Sequence, residues 1–151
     1  VRLGSLTRAE LIFTDLSALD RAGILRELAA RLAGLGLVAD GEELAQRLLE
    51  RESLGSTGIG GGIAIPHCKI DDLTQGILAL AVAPRGVDFG AADGKPVQLF
   101  FLLISPSASP AQHLQVLATI SRWVRAGGSV GQVAGLSTSD EIFDLLQRSE
   151  V

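Results

Sequence analysis

The chain is poor in sulfur: of its 151 residues one, Cys68, is a cysteine and none is a methionine. A single thiol cannot close an internal disulfide, and a free thiol suits a reducing, cytoplasmic setting. Methionine is missing even at position 1, which leaves a longer reading frame open. Cations are also in short supply. Thirteen Lys and Arg against seventeen Asp and Glu give a net charge of −4, which argues against a nucleic-acid partner held through its phosphate backbone. Long apolar runs are lacking too. Val97–Ile104, among the longest, is far too short to cross a bilayer, so no direct membrane insertion is expected. Arg2, Arg8 and Glu10 break up the amino end, and no cleavable signal is expected there. Internal repeats and low-complexity tails are absent.

What is present suits one folded domain spanning residues 1–151, with a hydrophobic fraction of 47%. Strand-like and helix-like segments alternate, which points to an α/β layer architecture. Leu11-Ile12-Phe13 reads as a short first strand. A helix follows from about Asp20, with Ile24, Leu28 and Leu32 recurring every four residues and Gly34 or Gly36 ending it. A second opens at Asp40 with Glu43 in a capping-box position, carries Leu44, Leu48 and Leu49, and runs into Arg51 and Glu52. Leu78–Val82 and Val97–Ile104 read as strands, the second apolar enough to be central. Ala92-Asp93-Gly94-Lys95 between them is turn chemistry. Ser109, Pro110 and Gln112 then signal a helix start, with Leu114, Leu117, Ile120 and Val124 expected to be buried and Gly127-Gly128 ending it. A last helix starts near Thr138, with Glu141 completing a capping box, and buries Ile142, Leu145 and Leu146.

Five glycines fall within Gly55–Gly62. Such a loop either is a long flexible turn or presents consecutive N–H groups to an anion such as phosphate. No Gly-Lys-Ser/Thr follows it, so it is not a Walker loop, and no helix follows it, so it is not a dinucleotide fingerprint. His67 comes directly after Ile63-Ala64-Ile65 and Pro66. It reads either as a strand-end histidine with local hydrogen bonds or as a nucleophile able to carry a labile phosphoryl group. His113 falls in the first turn of the Ser109 helix and shares its buried face with Leu117, Ile120 and Val124. The helix dipole there disfavours protonation, and a neutral imidazole can donate one hydrogen bond to an anion. Its alternative is a core histidine bonded to a nearby carbonyl. Pooling His67, Cys68 and His113 as metal ligands is disfavoured, since no CxxC or HxxxH pair is present. Adjacent residues on an extended segment also point in opposite directions. No metal and no cofactor are expected.

The run Arg51-Glu52-Ser53-Leu54-Gly55-Ser56-Thr57-Gly58-Ile59-Gly60, continuing Gly62-Ile63-Ala64-Ile65-Pro66-His67, resembles the active-site signature of fructose–mannitol-type enzyme IIA domains of the phosphoenolpyruvate-dependent phosphotransferase system. The likeness continues through Val87-Asp88-Phe89, Asp93–Val97 and His113-Leu114. It implies a single-domain α/β sandwich with a mixed central sheet flanked by helices. It also implies that His67 accepts a phosphoryl group at Nε2 from the carrier HPr, or a nitrogen-branch equivalent, and passes it to a cysteine of a IIB domain. In a nitrogen-regulatory branch the phosphorylation state instead governs binding to regulatory protein targets, and Ser53–Gly60 resembles that branch slightly more. By the same resemblance Arg51 supplies compensating charge and His113 a stabilising donor. Thr57 takes the threonine position, and Gly58, Gly60, Gly61 and Gly62 form a phosphate-binding loop. The alternative on the same fold is a module that binds an anion or a partner without transferring anything. Cys68 stands where the pattern more often has glycine or alanine.

Overall fold

In a computed structural model, which describes residues 2–149, two 3₁₀ turns (Leu3–Leu6 and Ala9–Leu11) lead into β1 (Ile12–Phe13). Helices α1 (Arg21–Gly34) and α2 (Gly41–Ser53) follow, then β2 (Gly58–Gly60), β3 (Ile63–Ala64), β4 (His67–Ile70), β5 (Ile77–Val87) and β6 (Val97–Pro106). Three helices close the chain: α3 (Pro110–Arg125), α4 (Val130–Ala134) and α5 (Ser139–Arg148). Among the described residues the strands form one mixed sheet in the order β1-β5-β6-β3-β2, with β4 also paired to β6. β5 runs antiparallel to β6, whereas β1 lies parallel to β5, and β3 and β4 lie parallel to β6.

Strand β6 is apolar at nearly every position because both of its faces are covered. Phe100, Leu102 and Ile104 point into a core shared with Ile24, Leu25, Leu28 and Leu32 of α1 and Leu44 and Leu48 of α2. Leu99 and Phe101 point the other way, into a second core with Ile120 and Trp123 of α3, Val133 of α4, and Ile142 and Leu146 of α5. Side-chain alternation along one strand thus builds the expected layered α/β sandwich. The ends of α1 and α2 follow local chemistry. Asp20 accepts from the Gly23 N–H at 2.6 Å and Asp40 from the Glu43 N–H at 3.1 Å.

Four details differ from the sequence reading. Strand β5 continues past Val82 to Val87 through a register shift. Helix α4 was not expected, although Ser129 and Gln132 form a full capping box at its start. At α3 Ser109 precedes Pro110 as expected, but its ψ of 62° lies outside the extended range of capping residues and its side chain caps nothing. Leu114 is 66% exposed rather than buried, because α3 faces the sheet through His113, Ile120 and Trp123, with Leu117 and Val124 packed beside them and Leu114 off that face. The terminal capping box of Thr138 and Glu141 forms as read.

Helix α3 is seated by Trp123, whose ring meets Phe101 edge-on with centroids 5.6 Å apart. A Cβ on Gly128 would lie 2.2 Å from the Trp123 ring, and the Gly128 N–H closes the helix on the Trp123 carbonyl at 2.9 Å. Gly128→Ala is therefore expected to destabilise the fold by about 1–3 kcal/mol, as overpacking does. Urea unfolding followed by tryptophan fluorescence measures it, and an unchanged midpoint would contradict this seating.

Candidate active site

Three stretches that are distant in sequence converge beside the carboxyl half of β6. β4 lays His67 opposite Leu103 in parallel register. The last turn of α2 brings Arg51, and the first turn of α3 brings His113. With Arg47, Glu50, Ser53, Leu54, Cys68 and Lys69 these residues line an open cleft of about 650 Å³. The His67 and His113 rings lie 5.3 Å apart, tilted by 58°.

The chemistry of His67 follows from its hydrogen bonds. Nδ1 lies 2.7 Å from the Ile65 carbonyl oxygen. A carbonyl only accepts, so Nδ1 carries the proton and Nε2 keeps its lone pair. Arg51 Nε donates to that lone pair at 3.3 Å, while its Nη1 donates to the Gly55 carbonyl at 2.9 Å. Burial first, and the Arg51 guanidinium as well, hold His67 below its ordinary pKa, although the bond to Ile65 pulls the other way. The ring is therefore a neutral nucleophile at pH 7, with one nitrogen committed and the other presented to a cation-lined cleft.

His113 is 5% exposed, and its Nδ1 lies 2.7 Å from Ser105 Oγ. Burial, together with the neighbouring His67 and Lys69, lowers its pKa too. Cys68 stands beside His67 in sequence but packs against the α1–α2 core. Burial pushes its thiol up to about 12, so it stays protonated and is a poor nucleophile.

Thr57 and the loop glycines lie elsewhere. The Thr57 hydroxyl and N–H both donate to the buried Glu52 carboxylate. The Gly58 N–H goes to Ser56 Oγ at 3.0 Å, and Gly58 and Gly60 pair with β3. Gly61 donates to Asp93 Oδ2 at 2.9 Å, so an anion does sit on this loop, but it is the chain's own carboxylate. Gly62 accepts from the Gln98 and Leu99 N–H groups. None of these residues lines the cleft. They shape the turn that delivers His67. The sequence reading missed Arg47, Lys69 and Ser105 because isolated polar residues on a helix or strand carry no local signal. It also missed the exposed Leu54, next to the signature.

A neutral imidazole with a free lone pair stands beside a guanidinium at the carboxyl half of a buried sheet strand, an arrangement chemically able to hold an anionic group in an α/β fold. Residues 5–149 match the family described as phosphoenolpyruvate-dependent sugar phosphotransferase system, EIIA 2, and the chain belongs to that family. Over 141 residues it is 39% identical to a nitrogen regulatory protein of Bradyrhizobium diazoefficiens, covering 93% of this chain and 92% of that one. It is 36% identical over 120 residues to a fructose-specific EIIA component of Haloferax volcanii, covering 80% and 78% respectively. The crystal structure of the nitrogen regulatory protein IIA-Ntr from Neisseria meningitidis superposes with a TM-score of 0.86 at 28% identity, over 95% of this chain and 98% of that one.

Both imidazoles are held neutral, so the unfolded chain binds more protons than the folded one below the ordinary histidine pKa near 6.5. Stability from these groups is complete above about pH 6.5 and falls as pH drops toward the lowered folded-state values. Titration of the two ring signals by NMR should give midpoints below 6.5. Urea midpoints should fall between pH 7 and 5, and less steeply in a His67→Gln/His113→Gln variant. Midpoints at or above 6.5 would contradict the burial argument.

Proposed function

We propose that this chain is a phosphoryl relay protein whose acceptor atom is His67 Nε2. The observation that carries the reading is the bond from Nδ1 to the Ile65 carbonyl, which leaves Nε2 as the nucleophile facing Arg51. In the forward step the Nε2–phosphorus bond forms as the bond from phosphorus to the donor breaks. The ring becomes an imidazolium, and the Ile65 carbonyl stabilises its N–H. Arg51 leaves the lone pair for the phosphoryl oxygens, and His113 donates to another. Phosphoryl transfer needs this positioning and charge compensation more than covalent machinery.

The donor is phosphorylated HPr or its nitrogen-branch equivalent, and the receiver is a IIB cysteine or a regulatory protein target. Leu54 and Leu114, 84% and 66% exposed, give the rim apolar area on which such partners can dock in turn. Among the described residues no helix is long and apolar enough to cross a membrane, and the proposed cycle runs in the cytoplasm. The near full-length likeness to a nitrogen regulatory protein favours the regulatory branch. The likeness to a fructose-specific component keeps sugar transport as the second reading.

Incubation with phosphoenolpyruvate, enzyme I and HPr should add one acid-labile phosphoryl group, and His67→Ala should abolish it while leaving the fold intact. Stoichiometric phosphorylation persisting in that variant would sink the assignment.

His113 is a helper in this reading. Loss of one donor to developing charge costs about 2.7–4 kcal/mol, a roughly hundred- to thousand-fold slowing. Rapid-quench transfer from phosphorylated HPr should show that loss in His113→Ala and partial recovery in His113→Gln, whose amide still donates. Wild-type rates in both would reduce His113 to a core residue.

A further inference from the structure

We infer that Ser105 is a positioning residue that fixes the tautomer of His113, keeping the proton on Nε2 so that the ring presents an N–H to the cleft. The role it gives His113 rests on the phosphoryl-relay reading; the tautomer itself does not.

Ser105 lies near the end of β6, opposite Lys69 of β4, and is 2% exposed. Its Oγ is 2.7 Å from His113 Nδ1. Two arrangements satisfy that distance. If Nδ1–H donated to Oγ, the serine proton would need another acceptor. Among the described residues its side chain has no other partner, and its burial keeps water away. A buried hydroxyl proton without a partner is costly, whereas a hydroxyl oxygen with a spare lone pair is not. The hydroxyl therefore donates to Nδ1. In a neutral imidazole the proton must then sit on Nε2.

The backbone around this pair is anchored independently. The Ser107 N–H donates to the Ile70 carbonyl and the Ser109 N–H to the Pro106 carbonyl, both at 3.0 Å. These bonds fix the β6–α3 corner, so the distance between Ser105 and His113 is set by the fold.

The consequence is a matched pair of opposite tautomers. His67 holds its proton on Nδ1 and offers a lone pair from Nε2. His113 accepts at Nδ1 and offers a proton from Nε2. One ring is thereby set to attack phosphorus and the other to bind a phosphoryl oxygen. The wrong His113 tautomer would aim a second lone pair at the anion. His67, Cys68 and Lys69 of β4, and Arg47, Glu50 and Arg51 of α2, are the other titratable and charged groups lining the cleft.

The chain has two histidines, so a long-range ¹H–¹⁵N correlation spectrum at pH 8 reads both tautomers directly. The expected wild-type result is opposite patterns: a protonated Nδ1 on His67 and a protonated Nε2 on His113. Ser105→Ala should move the His113 nitrogen shifts toward those of a ring sampling both tautomers. It should also slow transfer from phosphorylated HPr roughly five- to tenfold, the worth of one neutral hydrogen bond. Ser105→Thr, which keeps the hydroxyl, should restore both. Ser105→Cys, close in size and a weak donor, should fall between, which separates the hydroxyl's role from packing. A wild-type His113 carrying its proton on Nδ1, or wild-type His113 shifts in Ser105→Ala, would overturn the inference. Opposite tautomers in a wild-type protein that never takes up phosphate would uphold it while defeating the relay reading.

Discussion

The bond from His67 Nδ1 to the Ile65 carbonyl decides which nitrogen meets the cleft, and much of the surrounding structure serves to hold it. Along one edge of β6, β3 and β4 run parallel to the same strand but are interrupted at Ile65 and Pro66. Proline has no N–H to give to the ladder, so the break falls where it costs least. The Pro66 carbonyl still accepts from the Leu103 N–H at 3.0 Å, and the Ile65 N–H still donates to the Thr57 carbonyl at 3.0 Å. The interruption is thus pinned on both sides, and the carbonyl that selects the His67 tautomer cannot drift.

The same pinning extends into the glycine loop. Gly60, Gly61 and Gly62 have φ of 95°, 66° and 81°, a region that other residues avoid. That run reverses the chain between β2 and β3 within a few residues. Asp93 then takes the Gly61 and Lys95 N–H groups, which holds its carboxyl below the usual carboxylate range. Glu52 clamps Thr57 from inside, next to Arg51 in sequence. Backbone amides accordingly shape the scaffold, and the charge in the cleft comes from side chains.

This division marks what could be read from the sequence. The layered α/β fold, the central strand and the alternating helices were legible because periodicity and caps are local. His67, His113 and Arg51 were legible as residues, and the fold brings these three together. Their hydrogen bonds were not, because the Ile65 carbonyl and Ser105 acquire their roles only through strand pairing and the β6–α3 corner. The bond from Gly61 to Asp93 was not legible either, because Asp93 lies 32 residues from Gly61 and nothing local announces the pairing. Leu114 failed for a geometric reason. One residue along a helix is a turn of about 100°, so a stripe anchored on His113 and Trp123 leaves Leu114 facing outward on the rim.

Charge accounting over the proposed cycle shows why neutral imidazoles suit a carrier. Before transfer the two rings are uncharged, and Arg51 is the cation closest to the acceptor, tied to the Gly55 carbonyl and open to solvent along the cleft. An arriving phosphoryl group brings about two negative charges, and its attachment turns the His67 ring into an imidazolium. The ring and Arg51 together then balance the anion, with His113 adding a dipole and no further charge. When the group leaves, the anion and the ring's charge disappear in the same step. A second fixed cation in place of neutral His113 would hold the phosphoryl group more tightly in the resting state, lowering the free energy available for passing it on. Neutrality at His113 therefore matters as much as donation, and a buried serine that fills Nδ1 as a donor favours both, because protonating that nitrogen would reverse the bond and leave the hydroxyl proton without an acceptor.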